Sequence, residues 1–423
     1  MNLLWIVNKP IGGLHFHLYG KRATGGLWME AMIDRIIPDT EIDLTVVNVD
    51  KVSSICRLDI EGVRYYTIPG DNNAHYDYKS KTARDYWRTI FEQEKPDLLE
   101  LWGTEMPFGI PALDVAGNIP AVVYVQGVLE SIGKYYTSGL TNEELNEARS
   151  IRDIMTLSTI RQQQKNFFHR AQLESQIVSR CKNIIIENKW AEAYYKKNCP
   201  EVAVHWCPLS ISSAFGEVGW ALDKVNRHTL MCPAANYPIK GLHMLLKAIA
   251  IIKSKYPDIK LTIPGTPLKD KMSFKERLKQ SGYDKFIRNQ IKQLGLGDIV
   301  QFIGRLTASE MAKKMSESHV FVMSSAIENH SSTLKEAMTV GVPCVSSYVG
   351  GVPEYATHEE NCLLFRYEDY EVMAQEIIQL FESDELCQHL SKNAAMKMQE
   401  FRENNDFYEI SKKIYQTIIK NGK

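Results

Sequence analysis

Glu328-Asn329-His330-Ser331-Ser332-Thr333-Leu334-Lys335-Glu336 is the stretch that decides how the chain folds. It follows the apolar run Val320-Phe321-Val322-Met323 and leads into Ala337-Met338-Thr339-Val340-Gly341-Val342-Pro343. That order predicts a strand, a loop and a helix that stops at Gly-Val-Pro. Open α/β sheets bind ligands where such a loop leaves the strand and enters the helix. Ser331, Ser332 and Thr333 fall at the helix start, where hydroxyls, free N–H groups and the helix dipole suit a phosphate. Glu328 lies just before the helix and Glu336 about two turns inside it. Carboxylates are poor phosphate ligands but good acceptors for sugar hydroxyls. A solvated surface helix with a Ser/Thr cap accounts for the same residues, so the wider context has to separate the two readings.

That context is the next strand, Pro343-Cys344-Val345-Ser346-Ser347, followed by Gly350-Gly351-Val352-Pro353-Glu354. Taken in order, the two glutamates, Glu-Ala-Met, Gly-Val-Pro and Gly-Gly-Val-Pro-Glu resemble the donor-site signature of family 4 retaining glycosyltransferases, part of group 1. The resemblance is specific over 229–365 and loose before residue 200. It implies an α/β chain of GT-B architecture, two Rossmann-like parallel-sheet domains facing across a cleft. It further implies that Glu328 faces the hydroxyls of the donor sugar and Glu336 those of the ribose. The backbone between them holds the diphosphate. The donor is then a nucleotide diphosphate sugar acting as co-substrate, with no other cofactor.

Length and composition agree with that picture without demanding it. At 423 residues the chain exceeds one ordinary domain. Its 44% apolar and 24% charged content are those of a globular protein, and a net charge of −1 argues against bulk nucleic-acid binding. No run of about 20 apolar residues is present to span a membrane. The start, Met1 to Asn8, reads as a first strand and not a signal peptide. Eight scattered cysteines without CxxC spacing suggest reduced thiols and a cytoplasmic setting. His15 and His17 have no companion ligands, so no metal is expected.

In the N-terminal half, Leu3–Val7 predicts a buried strand, then a long loop with Gly12-Gly13, then a helix from Leu27 to near Pro38. Gly25 and Gly26 precede that helix. They suit a simple turn or a close ligand approach; the resemblance makes them the glycine-rich loop facing the donor. Strands follow at 43–49, 63–69, 97–103 and 120–125, with a helix over about 77–94. Alternation of strands with helices implies a parallel sheet. Gln126-Gly127 ends the last of these strands, where family members commonly carry His-Gly. Gln cannot take a proton at neutral pH, so it is expected to orient substrate. Residues 141–182 are helical and basic, with Arg149, Arg152, Arg161, Lys165, Arg170, Arg180 and Lys182. They form a solvated face, or a surface for anionic lipid or a lipid-linked acceptor. A strand at 183–188, a helix at 190–198 and a strand at 204–207 complete the half.

In the C-terminal half, 208–227 reads as a linker and Thr229 opens a second sheet. Lys240-Gly241 precedes an apolar helix, where the ammonium acts on a phosphate as a point charge or is simply a surface lysine. The resemblance assigns it to the diphosphate. The family usually has an Arg six residues earlier, where this chain has Ala234; Arg305 is a substitute or a surface side chain. Gly265 ends the next strand, and a basic helix is expected over 274–293. A strand around 299–303 precedes Gly304 and Leu306, which the resemblance places at the base. Helices are expected over 369–382, from 384, and over 407–419.

The domains expected are 1–208 on the acceptor side and 209–404 on the donor side, with 405–423 packed back on the first. Glu328, Lys240 and Gln126 are the residues expected nearest the chemistry. The reaction implied is retaining, metal-independent transfer of a sugar to a saccharide or lipid-linked saccharide in bacterial surface polysaccharide or lipopolysaccharide assembly, at the cytoplasmic side of the inner membrane. Gln126 and Ala234 keep two alternatives open, a nucleotide-sugar epimerase and a non-catalytic nucleotide-sugar-binding partner subunit.

Overall fold

The apolar runs become buried strands, and their connections run parallel. The computed structural model describes residues 1–21, 27–71, 76–233, 235–265 and 273–422. In chain order the first elements are β1 (Asn2–Val7), α1 (Gly12–Tyr19), α2 (Leu27–Ile36), β2 (Asp43–Asp50), β3 (Cys56–Ile60), β4 (Val63–Pro69), α3 (Lys81–Glu94), β5 (Leu98–Trp102), α4 (Ile110–Val115) and β6 (Ala121–Tyr124). Then come α5 (Leu129–Tyr135), α6 (Asn142–Glu147), α7 (Ile151–Met155), α8 (Ile160–Cys181), β7 (Asn183–Ile186), α9 (Lys189–Asn198) and β8 (Ala203–Trp206). The second half holds β9 (Asn226–Met231), α10 (Leu242–Ile252), β10 (Lys260–Ile263), α11 (Phe274–Lys279), α12 (Gly282–Gln293), β11 (Val300–Phe302), α13 (Ala308–Glu317), β12 (Ser318–Met323), α14 (Ser332–Val340), β13 (Cys344–Ser347) and β14 (Leu363–Phe365). Three helices close the chain: α15 (Tyr370–Glu382), α16 (Asp384–Asn404) and α17 (Phe407–Gly422).

The chain divides into two units. The first comprises Met1–Glu130, Phe168–Ser210 and Asn405–Lys423. Its sheet runs β3-β4-β2-β1-β5-β6-β7-β8, parallel throughout except for the antiparallel β3–β4 pair at the edge. Strands buried on both faces alternate between two cores: Leu4 and Ile6 pack on one side, Leu3, Trp5 and Val7 on the other. The second core takes Phe407, Ile414, Tyr415 and Ile418 of α17.

The second unit comprises Ser131–Phe167 and Ile211–Asn404. Its strand order, β11-β10-β9-β12-β13-β14, is the doubly wound pattern in which the first and fourth strands lie side by side. Here those strands are β9 and β12, paired in parallel. Chain winding reverses between them, which opens a crevice at their carboxyl ends.

Three expectations are corrected. The loop after β1 is the helix α1, closed by the Gly20 N–H on the Phe16 carbonyl at 2.8 Å. Only Ile11 and Leu14 anchor it while Phe16, Leu18 and Tyr19 are exposed, so no apolar period marked it. The single helix over 274–293 is two, α11 and α12, broken at Gln280-Ser281. Residues 131–167 belong with the second unit. The Ser138 carbonyl accepts from the Tyr367 hydroxyl at 2.8 Å and lies 2.8 Å from His243 Nε2, and the Gly282 N–H donates to Asp153 Oδ2 at 2.5 Å.

Candidate functional site

In the second unit the loops leaving β9 and β12 meet at the switch point. Met231 ends β9, and the chain reaches Lys240 through a turn at Pro238–Lys240. Gly241, at φ 68°, then opens α10. A Cβ on Gly241 would lie 1.7 Å from the Ser324 carbonyl oxygen, so only glycine lets this turn close on the loop after β12. The Ala326 N–H to Ile239 carbonyl bond at 2.7 Å and the Ser324 hydroxyl to Lys240 carbonyl bond at 3.2 Å hold the two loops together.

That clamp brings Lys240 Nζ to 2.5 Å from Glu328 Oε1. Both side chains are mostly shielded, at 22% and 11% exposure. Burial works against the Lys240 charge, but the Glu328 carboxylate outweighs it, and the ammonium's pKa is raised. Behind Glu328 stands the Gly-Gly pair. A Cβ on Gly350, at φ 52°, would fall 1.7 Å from the Glu328 carbonyl oxygen, while the Gly351 N–H donates to the Asn329 carbonyl at 3.0 Å. The second glycine motif therefore fixes the backbone of the first glutamate.

Helix α14 starts where the residues predict. Ser331 is its N-cap, with Oγ accepting from the Leu334 N–H at 3.3 Å. Ser332 is exposed and Thr333 half-buried at the first turn. Glu336 is the fifth helical residue, little more than one turn in and not two. It is half-buried, and burial pushes its carboxyl up to about 7, with Lys335 only partly offsetting this. Lys335 itself is fully buried, 3.0 Å from His330 Nδ1 and over the Phe401 ring at 4.8 Å. Sequence reading passed over this cation under the helix start; a lysine between Leu334 and Met338 on the apolar face was its signal.

The remaining residues sit on neighbouring loops. The Gly265 N–H donates to the Gly304 carbonyl at 2.7 Å, tying the ends of β10 and β11. Arg305 is exposed and has no partner among the described residues; Leu306 is half-buried. Gly25, Gly26 and Ala234 lie outside the described residues. Among the described residues, no group of three His, Cys, Asp or Glu could hold a metal ion, and no helix is long and apolar enough to cross a membrane.

Gln126 is in the first unit, half-buried just past β6. The loop it opens is tied down by Glu174 of α8, an acid to which sequence reading gave no role. Glu174 Oε1 accepts from the Leu129 N–H at 3.2 Å and Oε2 from the Thr104 hydroxyl at 2.6 Å. Burial pushes its carboxyl up to about 7, despite those donors. The same unit has a cavity of about 460 Å³ lined by Gly12, Gly13, Phe16, Glu30 and Asp34 among others. Glu30 Oε1 accepts from the Gly12 N–H at 2.8 Å.

The second unit thus sets the start of α14, the Lys240 ammonium, the buried Lys335 and two carboxylates around one switch point. Residues 223–397 match the family described as glycosyl transferases group 1. The N-acetyl-alpha-D-glucosaminyl L-malate synthase of Bacillus anthracis is 29% identical over 136 residues, 31% of this chain and 35% of that protein. The chain spans a third to a half of the length of the curated relatives it matches first, 35%, 43% and 47%. Among solved structures, the sucrose-phosphate synthase of Thermosynechococcus elongatus superposes with TM-score 0.69 at 14% identity, covering 99% of this chain and 98% of its own. Anabaena HepE, in complex with UDP, does so at 0.63 and 16%, covering 99% of each chain. Residues 223–397 are therefore similar to the group 1 glycosyl transferases, in a chain whose fold is GT-B and whose site pattern is consistent with family 4.

Proposed function

We propose that the chain transfers a sugar from a nucleoside diphosphate sugar to a hydroxyl of a saccharide or lipid-linked saccharide, with anomeric configuration retained. The observation that carries this reading is the Lys240–Glu328 pair set beside the start of α14 at the β9/β12 switch point. Departure of a nucleoside diphosphate builds charge on its β-phosphate. In this reading Lys240 and the α14 N–H groups stabilise it, with Arg305 as a further cation, so no metal is required. The two glutamates take hydroxyls: Glu328 those of the sugar, Glu336 those of the ribose. The Gly265 and Gly304 loops, with Leu306, lie along the nucleoside.

The proposed step is a front-face displacement. The acceptor oxygen bonds to the anomeric carbon as the bond from that carbon to the β-phosphate oxygen breaks. The acceptor proton passes to the leaving phosphate. Gln126 serves to orient substrate and takes no proton. The cavity beside Gly12 suits the acceptor, because Glu30 and Asp34 supply hydroxyl acceptors and Phe16 an apolar face. The HepE complex with UDP supports a uridine nucleotide as the first donor to try. Assembly of bacterial surface polysaccharide or lipopolysaccharide is the setting this reading favours.

The test is turnover of nucleotide sugars with acceptor extracts, in chelator, with the anomeric product assigned by NMR. Glu328→Ala is expected to lower kcat by at least about a hundredfold, in the range lost with one preorganised polar group at a reacting centre. Near-normal turnover in that variant, or an inverted product, contradicts the assignment. Sugar conversion without an acceptor is the outcome that selects an epimerase.

A further inference from the structure

The basic stretch read from sequence resolves into two parts with different surroundings. In its C-terminal part Arg180 is already paired with Asp114 at 3.0 Å. The N-terminal part is different. Across α7 and the residue after its cap, Ile151, Ile154, Met155 and Leu157 are 61%, 58%, 79% and 68% exposed. Four large apolar side chains within seven residues is a dense exposed cluster, since exposed apolar residues normally occur singly. The helix is not loosely attached. Asp153 is buried and accepts from the Gly282 N–H at 2.5 Å, and Lys285 Nζ donates to the Arg149 carbonyl at 3.3 Å.

Those bonds join α7 and the residue before its cap to the first turn of α12, and α11 packs directly against α7. Helix α11 exposes Lys275, Arg277, Leu278 and Lys279. On the α7 side Arg149, Arg152, Arg161 and Lys165 are exposed. Of these seven cations only Arg152 meets a carboxylate among the described residues, Asp153 at 3.6 Å. Two segments more than a hundred residues apart thus contribute cations around one apolar knob, in a chain of net charge −1.

We propose that this α7–α11 surface docks on an anionic phospholipid bilayer, with Ile151, Ile154, Met155 and Leu157 entering the headgroup boundary. Cations around an exposed apolar cluster match such a surface in both terms, because neither apolar burial nor phosphate attraction alone holds a peripheral protein well. The surface brings the enzyme to an acceptor carried on lipid, and in that purpose alone it rests on the function proposed above. Binding is measurable without donor or turnover, so the two readings fail separately.

The experiment is co-sedimentation of the full chain with phosphatidylcholine vesicles, with and without 30% phosphatidylglycerol, at low and high salt. Binding is expected on the anionic vesicles, weakening with salt, and little on the neutral ones. Lys275→Gln with Lys279→Gln is expected to lower the partition about twenty-five-fold, near fivefold per lysine. Met155→Ser with Leu157→Ser is expected to lower it at least tenfold; both sites are exposed, and an unchanged melting temperature verifies folding. Equal binding to both vesicle types, no binding, or binding unaffected by either pair overturns the proposal. So does a concentration-dependent dimer that Met155→Ser with Leu157→Ser abolishes, which assigns the surface to a second copy of the chain.

Discussion

Lys240 and Glu328 neutralise each other, so any phosphate that reaches Lys240 competes with a carboxylate at 2.5 Å. That competition separates the two residues experimentally. Removing Glu328 leaves Lys240 free for phosphate, so diphosphate affinity is retained while turnover falls. Removing Lys240 deletes a charge-assisted contact worth about 1.5–3 kcal/mol. Glu336 adds a pH signature. Its carboxyl titrates near 7 because it is buried, so it is mostly protonated at pH 6 and mostly ionised at pH 8. The ionised form accepts ribose hydroxyls more strongly. Affinity for a nucleotide sugar, whose phosphates do not titrate in that window, is expected to rise from pH 6 to pH 8. Calorimetry at both values checks this, and Glu336→Gln is expected to flatten the dependence. A flat profile in the unaltered protein contradicts the role given to Glu336.

At the level of elements, the site is made by loops that only glycine allows to approach. Gly350→Ala places a methyl against the Glu328 carbonyl at a left-handed φ. It is expected to destabilise the chain by more than about 2 kcal/mol, from backbone strain and displaced packing. A denaturant melt measures this; a loss under 0.5 kcal/mol contradicts the close packing. The same elements show what was legible in the sequence. Strand β12, the α14 start and the Gly-Val-Pro stop were readable because apolar run, cap and breaker occur in order. The parallel sheets followed from alternation. Helix α1 was not readable, since it buries one narrow edge. Neither was the pairing of Lys240 with Glu328, which depends on β9 and β12 becoming neighbours although 90 positions separate the paired Leu230 and Val320. Glu174 was hidden among basic neighbours whose surroundings only the fold reveals.

For the whole molecule, the last helix completes the first sheet rather than trailing from the second. Helix α17 buries Phe407, Ile414, Tyr415 and Ile418, each worth about 1.5–3 kcal/mol of apolar burial. It also caps Glu100, whose Oε2 accepts from the Tyr415 hydroxyl at 2.6 Å. Burial pushes the Glu100 carboxyl up to about 8, so it is largely neutral at pH 7. Its unfolded form ionises near 4.5, the ordinary value for a glutamate. Stability from this group is therefore complete below pH 4.5 and declines as pH rises toward 8, because the unfolded chain releases the proton first. Glu100→Gln is expected to reduce that decline in melting temperature between pH 5 and 8. Tyr415→Phe is expected to lower stability at pH 7 by about 1–3 kcal/mol. Identical pH slopes in the original and Glu100→Gln proteins contradict the neutral buried carboxyl.

The most direct measurement is calorimetric titration, in chelator, of uridine, guanosine and adenosine diphosphate sugars into the original protein, Lys240→Ala and Glu336→Ala. The expected result is binding of one nucleotide class without metal, weakened about tenfold or more in each variant while both remain folded. Binding of a nucleotide sugar with equal affinity in all three proteins contradicts the donor site at the β9/β12 switch point, and no binding of any nucleotide sugar by the folded original contradicts transfer from a nucleotide donor altogether.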